Sequence, residues 1–147
     1  MANARVKTVA DAVAARLNAA DFSESFSASV ALFPKFDRAS TGTLDVVVTS
    51  GPHTRVRMDR GGTSEIVQNI PVIVRGLLVG TQSENEARIA AILSIVDEIE
   101  DELFSTTPQL GSWRAVETIQ SVPYDFQKAL EDGVFQSILT LRYKGFA

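Results

Sequence analysis

Apolar residues recur along the chain at two spacings, and the switches between them mark its elements. Val6, Val9, Ala10, Val13 and Leu17 fall on one face at helical spacing, which predicts a helix over about 4–19 with Asn3 as its N-cap. The surrounding alanines favour the same state. The period then drops to two: Phe26, Ala28, Val30 and Leu32 alternate with Ser27 and Ser29, the pattern of a half-buried strand stopped by Pro34. A turn at Ser40-Thr41-Gly42 leads to a second strand over 44–49, centred on Val46, Val47 and Val48.

Residues 51–62 are basic and bracketed by glycine and proline, which reads as a long exposed loop with hairpin character around Arg55–Met58. The longest strand candidate is 64–79, where Ile66, Ile70, Val72 and Val74 share one parity; Pro71 inside it implies an edge position or a bulge. A second helix is expected over 84–104, opened by a Ser83-x-x-Glu86 capping box and carrying the stripe Ile89, Ile92, Leu93, Val96, Ile99, Leu103. Pro108 and Gly111 interrupt the chain before a strand over 113–122. A connection over 123–132 leads to a last strand over 134–143.

The order α, β, β, loop, β, α, β, β predicts an α+β fold. A single domain is expected, its mostly antiparallel sheet of four to six strands carrying two helices packed on one face. A length of 147 residues suits one such core, and 45% hydrophobic with 22% charged residues excludes disorder over the whole chain. The start of the chain lacks the apolar run of a signal peptide, and no window is apolar enough to span a bilayer. No membrane partner is therefore expected, and use in a cytoplasm or in a particle assembled there.

Charge changes this picture in one respect. The net charge of −4 argues against a dedicated nucleic-acid binder. It is unevenly spread: residues 1–60 hold eight Lys/Arg and six Asp/Glu, residues 61–147 six and twelve. The halves carry +2 and −6.

Candidate chemistry is sparse. The chain has no cysteine, so thiolate chemistry and disulfides are excluded. His53 is the only histidine and has no carboxylate near it in sequence, which suits an ordinary loop residue better than a ligand or a general base. No Walker loop, dinucleotide fingerprint or nucleophile elbow is present. Arg60-Gly61-Gly62-Thr63-Ser64 has the composition of a phosphate nest but lacks the lysine and the following helix, so a turn is the simpler reading. Asp97, Glu98, Glu100, Asp101 and Glu102 form the densest carboxylate group, on the polar side of the second helix. Acids at a helix C-terminus oppose the macrodipole, and a basic partner would offset that cost. No catalytic residue, cofactor or metal is assigned, and the chain is read as a non-enzyme.

The order of elements, with Leu32-Phe33-Pro34-Lys35-Phe36-Asp37, Leu44-Asp45-Val46-Val47-Val48, Val122-Pro123-Tyr124-Asp125 and Phe135 to Tyr143, resembles the tail-terminator and neck proteins of long-tailed bacteriophages. The resemblance spans nearly the whole chain and rests on element order and soft motifs. It implies a virion structural protein of the tail and neck, assembled in the host cytoplasm. Such a protein forms a homo-oligomeric ring, usually of about six subunits, at the head-proximal end of the tail tube. It stops tube polymerisation and joins the tail tube protein to a head-side connector or stopper. Genome DNA would pass through the lumen without specific binding. Subunits in such a ring meet head to tail and need two unlike surfaces. The basic loop and the acidic helix suit that need, with Arg55, Arg57 and Arg60 of one subunit facing Asp97, Asp101 and Glu102 of the next. Another neck component is the nearest alternative, and a small-molecule binding module a more distant one.

Overall fold

The computed structural model describes residues 4–32, 44–58, 60–120 and 133–146. The expected Asn3 cap, the Phe33–Asp37 motif, the turn at Ser40–Gly42 and the Val122–Asp125 motif lie outside the described residues.

Among the described residues, two helices and one seven-stranded mixed sheet make up the fold. The elements are α1 (Arg5–Ala19), β1 (Ala28–Val30), β2 (Asp45–Val48), β3 (His53–Arg57), β4 (Ser64–Leu77), α2 (Gln82–Glu100), β5 (Gln109–Leu110), β6 (Trp113–Ile119) and β7 (Val134–Phe146). A π-helical turn, Asp101–Thr106, continues α2. The α+β class and the mostly antiparallel sheet agree with expectation; β1 alone pairs in parallel, against β2. The stretch at 51–62, expected as a loop with hairpin character around Arg55–Met58, holds a full strand, β3, that pairs antiparallel with β4.

The long pair β4–β7 is the spine, running in unbroken register from Glu65↔Phe146 to Leu77↔Val134. Its alternation decides what goes where. Ile66, Gln68, Ile70, Val72 and Val74 on β4 share a face with Tyr143, Leu141, Leu139, Ser137 and Phe135 on β7. Both helices cover that face. Val9, Ala10, Val13, Ala14 and Leu17 of α1 and Ile92, Ile95, Val96 and Ile99 of α2 are buried in one core with it. A Cβ at Gly76 would lie 2.8 Å from Ile92 Cδ1, so α2 sits directly on the sheet.

Two details differ from expectation for local reasons. Helix α2 starts at Thr81, not Ser83: Thr81 Oγ1 accepts from the Glu84 N–H (3.4 Å) and donates to Glu84 Oε1 (3.1 Å). The capping box is thus Thr81-x-x-Glu84, two residues earlier, where Gly80 ends the preceding bend. Pro71 lies in a strand paired on both flanks, neither at an edge nor in a bulge. Its carbonyl accepts from Thr49 (3.0 Å), and the bond it cannot donate falls where β2 has ended and β3 has not begun. The chain between those two strands hugs β4 at Gly51, where any Cβ would come within 2.9 Å of Asn69 O.

Candidate functional site

Strand β3 is the most exposed regular element among the described residues. All five residues of β3 are exposed, so no hydrophobic burial holds the strand; the ladder to β4 does. The bonds Asn69 N–H to Pro52 O (3.1 Å) and Met58 N–H to Thr63 O (2.9 Å) fix its alternation. Thr54 and Val56 therefore direct their backbone groups at β4, and His53, Arg55 and Arg57 direct theirs outward. Gly62, at φ +93°, supplies the left-handed residue that reverses the chain after Arg60 and Gly61.

Arg55 pairs with Ile66 and Arg57 with Ser64, which puts both side chains on the helix-bearing side of the sheet, two residues apart. Together with Gly62 and Ser64 they line an open cleft of about 310 Å³. Neither arginine forms an ion pair among the described residues, and neither does Arg60 in the turn. Two unpaired guanidinium groups on one strand face suit a carboxylate or phosphate ligand. His53, exposed at the start of β3, does not join the cleft.

The acidic residues of α2 divide into two sets. Glu102, in the π-helical turn, is only 14% exposed at its side chain and pairs with Arg16 of α1. Arg16 Nε donates to Glu102 Oε1 at 2.6 Å, and Thr107 Oγ1 donates to the same oxygen at 3.2 Å. Glu98 Oε1 accepts from the Ser23 backbone N–H (3.0 Å) and hydroxyl (2.9 Å). These two carboxylates are occupied within the chain. The basic partner that the helix end requires is, for Glu102, Arg16. Asp97 and Asp101 remain exposed and without ion pairs among the described residues. Within one chain, then, Arg55, Arg57 and Arg60 are not brought to Asp97, Asp101 or Glu102. Sequence spacing gave no sign of the Arg16–Glu102 pair, whose members are 86 residues apart.

The other side of the sheet carries exposed apolar side chains. Val56, Ile119, Ile138 and Phe146 lie on that side and are 42–61% exposed. Val56 lies on one flank, in β3, and Ile119 on the other, in β6 beyond the two-residue stretch that β5 covers.

Among the described residues no group of three or more His, Asp or Glu is placed to hold a metal ion. A further cleft, beside the first turn of α2, includes Arg88, which is engaged by Glu24 through both carboxylate oxygens at 2.8 and 3.1 Å. No helix among the described residues is long and apolar enough to cross a membrane. The chain matches no protein-family model, and no curated protein matches it.

Proposed function

We propose that the chain is a virion structural protein: a ring subunit at the head-proximal end of a phage tail tube, where it ends tube growth and joins the tail to the head-side connector. The observation that carries this reading is the pair of unlike charged surfaces. The exposed strand β3 presents Arg55 and Arg57, and the exposed helix end presents Asp97 and Asp101, all without ion-pair partners among the described residues. A closed ring of identical subunits needs two such complementary patches on each copy, whereas a two-fold dimer needs only one. The element order that resembles tail-terminator and neck proteins supports the same reading. Genome DNA would pass through the lumen, touching at most the unpaired arginines, in weak and salt-sensitive contacts.

Electron microscopy of the purified full chain tests this. The expected images are rings with a central hole, and end-on caps when tail tubes are added. Uniform small particles with no affinity for tube ends would reject the reading.

A further inference from the structure

We propose that neighbouring copies join edge to edge: β3 of one copy adds antiparallel to the outer edge of β6 in the next, so the sheet continues across the subunit boundary. The inference deepens the ring reading and rests on it. Four observations lead there.

First, both edges lack a partner strand among the described residues. His53, Arg55 and Arg57 turn their N–H and C=O groups away from β4, with no backbone partner among the described residues. On the other flank, β5 covers β6 only at Trp113 and Arg114, and the last bond on that side is Ala115 N–H to Pro108 O (2.8 Å). From Val116 to Ile119 the outer edge has no described partner. Open edges of this length are normally blunted or filled.

Second, the polarities fit. β3 is antiparallel to β4, β4 to β7, and β7 to β6, so β3 and β6 run in opposite directions. They flank the same sheet on opposite sides. Placing one edge against the other therefore gives an antiparallel ladder and a head-to-tail contact, which can close into a ring.

Third, the faces match in apolar character. A continued sheet keeps each face continuous. Val56 lies on the side away from the helices, opposite Glu65, and so does Ile119, opposite Thr140. Strand addition brings these exposed apolar side chains together and removes them from water.

Fourth, the charges match on the other side. Arg55 and Arg57 emerge on the helix-bearing face. There the π-helical turn packs Leu103 into the core with Ala115 of β6, and Asp101 stands exposed at the start of that turn. The neighbour's β3 would thus carry its arginines toward Asp101, with Asp97 one helical turn earlier. Pairing β3 with another β3 instead would set arginine against arginine.

The chain has no cysteine, so introduced thiols report cleanly. Val56→Cys is combined with Val116→Cys in one variant and with Ile119→Cys in another, and each is oxidised under native conditions. One of the two double variants is expected to give a covalent ladder of dimer, trimer and higher species on non-reducing gels, with none from the single variants. A disulfide dimer from Val56→Cys alone would replace the proposed contact with a β3–β3 one. No covalent species from either pair, in protein that still forms rings, would overturn the edge pairing and leave the ring reading standing. Loss of both cross-links and rings would remove both. Arg55→Pro gives an independent readout, because it deletes an outward N–H and no bond to β4. It is expected to abolish assembly while leaving the circular dichroism spectrum unchanged; normal assembly of that variant would contradict the proposal.

Discussion

Tyr143→Phe should make the protein more stable, and the effect should grow at alkaline pH. Tyr143 is fully buried on β7, opposite Gln68 of β4, and its hydroxyl has no hydrogen-bond partner among the described residues; nor has Gln68 Oε1. A buried polar group without a partner forfeits its hydration, at a cost of about 1–3 kcal/mol. Phenylalanine keeps the ring and deletes only the oxygen. The small void left behind takes back a few tenths of a kcal/mol, at ~24 cal/mol per Å³. The net gain should be about 0.5–2 kcal/mol near neutral pH.

Burial also pushes the Tyr143 phenol well above its ordinary value. The unfolded chain therefore releases this proton from about pH 10, while the folded chain still holds it. Above that point the unfolded state binds fewer protons, so stability falls as pH rises, by up to ~1.4 kcal/mol per pH unit. The loss continues until pH reaches the raised folded value. Phenylalanine has no such proton. Urea denaturation of both proteins, at about pH 8 and about pH 11, should therefore show a gap between them that widens by about 1 kcal/mol. A loss of more than about 1 kcal/mol in Tyr143→Phe at either pH would mean that the hydroxyl is satisfied, and would refute the reasoning.

Three further outcomes are expected. Arg16→Ala should cost about 1–3 kcal/mol in chemical denaturation, since it leaves the mostly buried Glu102 carboxylate without its cation, and Glu102→Gln in the same chain should restore part of it. Arg57→Glu and Asp101→Arg should each weaken ring assembly without changing the melting temperature of the isolated chain, and the double variant should recover part of the loss, by under ~1 kcal/mol per pair and less at high salt. In gel-shift titrations, double-stranded DNA should bind weakly and without sequence preference, binding should vanish as salt rises through the physiological range, and Arg55→Ala with Arg57→Ala should flatten the salt dependence; nanomolar binding at physiological salt would contradict this.

The elements that bury a stripe were legible in the sequence, because burial imposes a period. Val9, Val13 and Leu17 on α1, Ile92, Val96 and Ile99 on α2, and Ile70, Val72 and Val74 on β4 were all readable this way, and all are buried. Strand β3 was legible only as hairpin character around Arg55–Met58: its five residues are all exposed, so no alternation marks the strand, and only the register with β4 defines it. The sequence offers Ser83/Glu86 and Thr81/Glu84 as equally good capping pairs, and the structure uses the earlier one, so α2 starts two residues before the expected position. The candidate interface was legible in part. The basic stretch and the acidic helix end were visible as composition, but the engagement of Glu102 by Arg16 and of Glu98 by Ser23 depends on how α1 and the segment after it cross α2. The flank of β6 beyond Ala115, without a backbone partner among the described residues, left no trace in the sequence, because the pairing of a strand edge does not alter the residues of the strand itself.

Native mass spectrometry of the full chain at near-physiological ionic strength tests the central claim most directly. A closed ring predicts one dominant species at a fixed multiple of 15.9 kDa, about six copies, that dissociates as salt rises. A single species at 15.9 kDa at every concentration, in protein that also fails to bind tail tubes, would contradict it.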